Sequence, residues 1–447
     1  MEEGFFGKTA ARDAHGPVQM RKVIEPVSNV IGAIRLPGDK SISHRYAMLA
    51  ALADGTSRLH NYSTGADCAS TLACLRSLGA TIEHDKTQHI VTIGGRAGHF
   101  APPTEHLDCG NSGSTMRMLA GVLAAQPFEC VLTGDASLTR RPMGRVVRPL
   151  RQMGARIETS DGERAPLRLH GGRLTGMEYR PEVASAQVKS AVLFAGLQAE
   201  GETIVEEPVR TRDHSELALR AFGARVERSR NRVSIQGGQK LHAVEALMPG
   251  DASSASFFFC AAAIFPESNL VVEGVLMNPT RASLLDVLSA LGAKAKVLQL
   301  EEQNGELIGT VKVESGDLGG ALVEGAQSAA LIDELPVLAA IAPYTRDGIE
   351  VRDARELRVK ESDRIALVAK NLRAMGAEVE EREDGFTVPG GQRLHGGEID
   401  TAGDHRIAMA FTVAALRASG ATTIDGAEAA SVSFPEFYEL LDLVVER

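Results

Sequence analysis

The chain contains no tryptophan, and aromatic residues make up only 4% of its 447 positions. Binders of single-stranded nucleic acid stack bases on aromatic rings, and nucleic-acid binders in general present a basic face. Here 48 Lys and Arg stand against 58 Asp and Glu, a formal charge of −10, so nucleic acid is set aside as a partner. Cysteine is scarce too. The five, at 68, 74, 109, 130 and 260, are odd in number and show no CxxC or Cys/His spacing. That excludes a zinc site and points to reduced thiols in the cytoplasm. The longest apolar runs, such as 257–265, fall short of the roughly 18 residues a membrane span needs. Residues 1–20 lack an apolar core segment and carry Glu2, Glu3 and Asp13, so they read as a flexible extension rather than a signal or transit peptide. No Gly-x-Ser-x-Gly elbow, His-Glu-x-x-His helix, Walker loop or dinucleotide glycine pattern occurs, and neither metal nor cofactor is expected.

Glycine, by contrast, is plentiful at 45 residues, and many copies fall in one phrase: two apolar residues three apart, then Gly-Ala. The phrase occupies 75–80, 150–155, 219–224, 288–293 and 372–377, so its glycines step by 75, 69, 69 and 84 residues. Each copy reads as the last turn of an amphipathic helix, a left-handed glycine stop and a following strand. Upstream of each lies an Ala-rich apolar helix that opens on small polar residues. The six openings are Gly38-Asp39-Lys40-Ser41, Gly110-Asn111-Ser112-Gly113-Ser114, Ala184-Ser185-Ala186-Gln187, Gly250-Asp251-Ala252-Ser253-Ser254, Asp333-Glu334-Leu335-Pro336 and Gly403-Asp404-His405-Arg406. The sixth amphipathic helix, 435–445, has no following strand, and the strand candidate at 27–36 is expected to complete that unit. The pattern predicts an α/β protein of two similar domains, each with three helix-strand-helix-strand-strand units around buried Ala-rich helices. Residues 39–248 form one domain in this reading, and 21–38 with 249–447 the other. The chain crosses twice at Pro-Gly pairs, 37–38 and 249–250, which suit a hinge.

Helix N-termini present unpaired N–H groups and partial positive charge, which attract phosphate and carboxylate. Ser253 and Asp251 fit plain N-caps equally well. Capping does not account for Lys40, Arg45, Arg117, Arg141, Arg212, Lys360, Arg364 and Arg406, which gather at these openings in an acidic protein. Together they point to a small polyanionic ligand held between two domains. Among these cations, Asp333 and Glu361 stand out as carboxylates able to act as acid and base, although Lys360-Glu361 alone also reads as a solvated helix face.

Leu36-Pro37-Gly38-Asp39-Lys40-Ser41, the run from Gly110 to Arg117, Arg141-Pro142-Met143, the run from Arg358 to Arg364, and Asp404-His405-Arg406 resemble the 5-enolpyruvylshikimate-3-phosphate synthase family from about residue 27 onward. Ser185-Ala186-Gln187-Val188-Lys189, Arg212-Asp213-His214-Ser215-Glu216 and Asn278-Pro279-Thr280-Arg281 resemble its class II bacterial branch. The resemblance implies the enolpyruvyl transferase fold, an inside-out α/β barrel, and a monomer without cofactor or metal. It implies that phosphoenolpyruvate reacts with shikimate 3-phosphate on the way to chorismate and the aromatic amino acids. Lys40, Ser41 and Arg45 would then contact substrate, and Ser185, Ala186, Gln187 and Arg212 would hold shikimate 3-phosphate. Gly113, Ser114, Arg141, Lys360, Arg364 and Arg406 would surround phosphoenolpyruvate. The aspartate matching Asp333 takes the proton of the 5-hydroxyl, and the glutamate matching Glu361 protonates the methylene carbon. Two departures are visible. Some members carry lysine before a Ser/Thr-Phe-Pro segment where this chain has Val432-Ser433-Phe434-Pro435, and glyphosate-tolerant class II members can carry alanine where it has Gly113. Two rival readings remain: the sister transferase acting on UDP-N-acetylglucosamine, with Cys109 or Cys130 as its reactive thiol, and a non-catalytic anion-binding repeat protein.

Overall fold

Five of the six polar openings cap a helix. Asp39, Ser112, Ser185, Asp251 and Asp404 accept backbone N–H groups from Ile42, Thr115, Val188, Ser254 and Arg406. These caps start the helices Lys40–Leu52, Gly113–Leu123, Ala186–Gln198, Ala252–Ala263 and His405–Ala415 in a computed structural model that describes residues 20–447. The other, Leu335–Ile341, begins after Glu334 with Pro336 in its first turn, where a missing N–H does no harm. Numbered in chain order, these are the six central helices. Beyond their polar first turns they are mostly small or apolar and are buried almost throughout, so they form the cores. Helices two and three touch backbone to backbone, since a Cβ on Gly121 would run into the main chain of Ala191. The expected extension at 1–20 lies outside the described residues apart from Met20.

The phrase glycines end the outer helices as expected, with φ from 84° at Gly376 to 111° at Gly292. Gly292 shows why an L-residue is excluded: it closes the helix Ser283–Leu291 in the left-handed region, with its N–H on the Leu288 carbonyl. Four four-stranded sheets repeat one topology, in which an edge strand runs parallel to the next and a hairpin completes the sheet antiparallel. In the first sheet the parallel edge strand is Glu245–Leu247, from the far end of its lobe, pairing with Thr56–His60.

The same closure corrects the expectation for 27–36. Asn29–Arg35 pairs over five residues, in parallel, with Asn269–Leu276 of the fourth unit, and only two residues touch Val445–Glu446. Arg21–Ile24 instead joins the sixth sheet, antiparallel to Thr422–Asp425. The second, third, fifth and sixth units take their parallel strand from the chain just before their central helix, whereas the first takes Glu245–Leu247. The fourth unit follows a lobe crossing, so its strand comes from the segment that precedes the first crossing.

Buried apolar residues fall into two clusters. One runs from Ile42 to Met248 with Leu276 added; the other combines Ile24–Leu36 with residues 255–444. The two crossings lie side by side, with the Asp39 N–H on the Pro249 carbonyl at 2.7 Å and the Asp251 N–H on that of Pro37 at 3.1 Å. No helix among the described residues is long and apolar enough to cross a membrane.

Candidate active site

Charged openings from both lobes meet. Arg212 Nη2 donates to Asp333 Oδ2 at 2.7 Å, and Arg141 Nη1 lies 3.4 Å from Glu361 Oε1. Arg145 pairs with Glu356 at 2.9 Å beside them. Every one of these pairs joins the first lobe to the second.

Arg364 is the hub. Its side chain is 1% exposed, Nε donates to Asp404 Oδ2 at 2.9 Å, and Nη2 donates to Glu361 Oε2 at 2.7 Å. Nη1 stands 3.7 Å from Asp333 Oδ1 without a hydrogen bond. Burial opposes ionisation of Asp333, but Arg212, then Lys360, Arg406 and Arg364, hold it well below the ordinary carboxylate range. Glu361 is likewise held well below that range, Arg364 foremost overcoming its burial, with Arg141 and Lys40 adding to the effect. Both are therefore carboxylates at neutral pH. Burial lowers the pKa of Lys360, and Asp333 only partly offsets it. Lys40, at the first opening, keeps its charge through Asp67, whose Oδ2 accepts from Nζ at 2.9 Å.

Gln187 ties the second opening to the third: its Nε2 donates to Ser114 Oγ at 2.9 Å and its Oε1 accepts from Arg117 Nη1 at 2.7 Å. Arg141 Nη2 donates to Asn111 Oδ1 at 2.7 Å and to Ser137 Oγ at 3.1 Å. Gly113 gives these guanidinium groups room, since a Cβ there would come within 3.0 Å of Arg117 and 3.4 Å of Arg141. Ser41, Ser185 and Ala186 line the openings half-buried. Arg406 Nη1, Arg364 Nη1, Arg117 Nε and Arg141 Nε are buried without an acceptor. Unpaired buried donors cost about 1–3 kcal/mol each, more when charged, so four converging guanidinium groups of this kind mark a site built for anions.

Arg45 sits differently from the expectation. It is 3% exposed and spends its donors on protein: Nε on Ser215 Oγ at 2.7 Å, Nη1 on the Ser41 carbonyl at 2.7 Å, Nη2 on Ser190 Oγ at 2.9 Å. It braces the opening from behind. Asp67, Asn111 and Arg281 belong to the same assembly; Asn111 and Arg281 lie in motifs noted in the sequence but carried no assigned role there, and Asp67 lies in none. Asp67 starts an outer helix, Ala66–Ser77, and no periodicity or opening marks it. Among the described residues, no group of three or more His, Cys, Asp or Glu is placed to hold a metal ion.

His405, 2% exposed in the sixth opening, has its pKa lowered to about 4 by burial and then by Lys40. His44 is lowered for the same two reasons. A histidine that is neutral when folded but titrates near 6.5 when unfolded gives stability that is full above that pH and is lost as pH falls through about 4. The free energy of unfolding in urea should therefore fall between pH 7 and pH 5, by on the order of 2 kcal/mol for His405. His405→Asn should flatten that slope; parallel slopes for the two proteins would contradict it.

The thiols bear on the sister-enzyme reading. Cys109 is fully buried and its pKa is raised, first by its hydrogen bond with Cys74 and then by burial. Burial pushes Cys130 up to about 12. Neither is an accessible thiolate nucleophile.

Comparison with known proteins agrees with this geometry. The sequence model of EPSP synthase (3-phosphoshikimate 1-carboxyvinyltransferase) matches residues 24–441. A 3-phosphoshikimate 1-carboxyvinyltransferase of Koribacter versatilis is 62% identical over 95% of this chain and 99% of its own length. One from Solibacter usitatus is 53% identical over 96% of the chain and all of its own length. A solved structure of EPSP synthase from Acinetobacter baumannii superimposes with a TM-score of 0.85 at 42% identity, covering 96% of this chain and 98% of that one. Its repeats, its paired lobes and these relatives together show that the chain belongs to the EPSP synthase family.

Proposed function

We infer that the chain transfers the enolpyruvyl group of phosphoenolpyruvate to the 5-hydroxyl of shikimate 3-phosphate and releases phosphate. The observation that carries this reading is the placement of two ionised carboxylates, Asp333 and Glu361, on one buried Arg364 with cations of both lobes around them. Both substrates are polyanions, and fixed guanidinium groups in a site shielded from water favour them strongly.

In this reading Ser185, Ala186, Gln187 and Arg212 hold shikimate 3-phosphate, with Lys40 and Ser41 at its edge and Arg45 behind. Ser114, Arg141, Lys360, Arg364 and Arg406 surround phosphoenolpyruvate at Gly113. Asp333 takes the 5-hydroxyl proton as the oxygen attacks C2, while Glu361 delivers a proton to C3. Phosphate then leaves C2, and C3 gives back a proton to restore the vinyl group. Glu361 must first gain a proton. Its low pKa rests on Arg364 and Arg141. Substrate anions that draw on those two cations, and add negative charge nearby, move Glu361 upward toward a donor.

The two apolar clusters support domain boundaries at 39–248 and 21–38 with 249–447. Because one chain completes the site, we take the working unit as a monomer. Five free, buried thiols support a cytoplasmic location. Phosphate release from phosphoenolpyruvate should require shikimate 3-phosphate as acceptor. Release with UDP-N-acetylglucosamine in its place would favour the sister reaction. Gly113→Ala should raise the KM for phosphoenolpyruvate roughly threefold to tenfold, equivalent to about 1 kcal/mol, because the methyl group crowds Arg117 and Arg141. The KM for shikimate 3-phosphate should stay the same; an equal rise in both would contradict the placement.

A further inference from the structure

Behind the constellation lies a short turn, Asn278 to Arg281, closed by the Arg281 N–H on the Asn278 carbonyl at 2.7 Å. Both ends are buried, and every polar group of the Asn278 side chain is used. Its Oδ1 accepts from Thr280, while its Nδ2 donates to Asp213 Oδ1 at 2.9 Å and Glu306 Oε2 at 2.8 Å. Asp213 is the chain neighbour of Arg212.

The other end reaches two more neighbours. Arg281 Nη2 lies 3.8 Å from Asp39 Oδ2, 3.9 Å from Asp251 Oδ1 and 4.0 Å from Glu334 Oε1. It donates to Ser253 Oγ, which itself donates to Glu334. Asp39 precedes Lys40, and Asp251 Oδ2 accepts the Lys40 backbone N–H at 2.9 Å. Glu334 follows Asp333. One turn of the second lobe thus grips the residue next to each of Arg212, Lys40 and Asp333, two of which belong to the first lobe.

We propose that the turn Asn278–Arg281 is a positioning clasp that fixes Arg212, Lys40 and Asp333 relative to one another across the lobe junction. Its catalytic consequence rests on the function inferred above. The Arg281 guanidinium supplies positive charge within 4.0 Å of three carboxylates and spends its side-chain hydrogen bond on Ser253, and misplacement by about 1 Å from a site away from the chemistry lowers rates by about 10²-fold.

The test compares the full-length protein with Arg281→Met, Arg281→Lys and Asn278→Ser. Arg281→Met should lower kcat about 10²-fold with both KM values within about threefold of the parent, and Arg281→Lys should recover part of the loss. In Arg281→Met and Asn278→Ser, hydrogen exchange should rise in peptides covering 39–43, 212–216 and 333–337 but not in 112–117 or 404–408. A kcat within about threefold of the parent in Arg281→Met, or a raised KM at constant kcat, overturns the clasp. So does exchange that is unchanged or raised evenly along the chain. If Arg281→Met does not fold, Asn278→Ser decides, with about a tenfold fall in kcat expected and an unchanged kcat overturning it. A parent protein that releases no phosphate overturns the functional reading alone, and the exchange pattern then decides the clasp.

Discussion

Asp333→Asn should lose roughly 10²- to 10⁴-fold in kcat, the usual contribution of a positioned base, while binding shikimate 3-phosphate as tightly as the parent or more so. The amide has the shape of the carboxylate, and its oxygen can still accept from Arg212, so the opening keeps its form. What disappears is the negative charge that Arg212, Lys360, Arg406 and Arg364 share. With that charge gone, the cations turn more fully to substrate anions. Calorimetric titration with shikimate 3-phosphate, beside steady-state rates, separates the two effects. A variant with parental kcat, or one whose rate loss is wholly a loss of binding, would remove Asp333 from the role of base.

Arg364→Met should destabilise the protein by about 3–5 kcal/mol, because it strips a buried partner from ionised carboxylates. Asp404 is fully buried on Arg364 Nε, and its other close contacts are Ser362 Oγ at 2.8 Å and the Arg406 backbone N–H at 2.9 Å. Glu361 would keep Arg141, and Asp333 would keep Arg212. Adding Asp404→Asn should recover part of the loss, since it removes the carboxylate left worst compensated. Urea unfolding of the single and double variants checks this. A single variant as stable as the parent, or a double variant no better than the single, would show that Arg364 is not the hub.

The repeat was legible because two local rules write it into the chain. A left-handed glycine ends a helix, and Asp or Ser starts one, whatever the fold around them. Gly79, Gly154, Gly223, Gly292 and Gly376 all take positive φ, and the caps at Asp39, Ser112, Ser185, Asp251 and Asp404 all form. Strand partners were less legible. Alternation marks 27–36 as a strand but carries no address, and the parallel partner at 269–276 is set by the lobe crossing.

Charge at the openings was visible in the same way as the repeat, yet its division into residues with unpaired buried donors and residues spent on protein contacts was not. Arg45 and Arg141 look alike in sequence. One is consumed by Ser190 and Ser215 of neighbouring elements, whereas the other keeps a buried Nε unpaired. Asp67 and Arg281 acquire their importance only from what the tertiary fold sets beside them, Lys40 in one case and three carboxylates in the other.

The central claim is one reaction between two anions, and phosphorus NMR of the purified protein with both substrates follows it directly. The phosphoenolpyruvate signal should fall as inorganic phosphate rises in equal amount, while the shikimate 3-phosphate signal gives way to one new phosphomonoester, and neither substrate alone should change. Spectra that stay constant with both substrates present, or phosphate released from phosphoenolpyruvate without acceptor, would contradict the account.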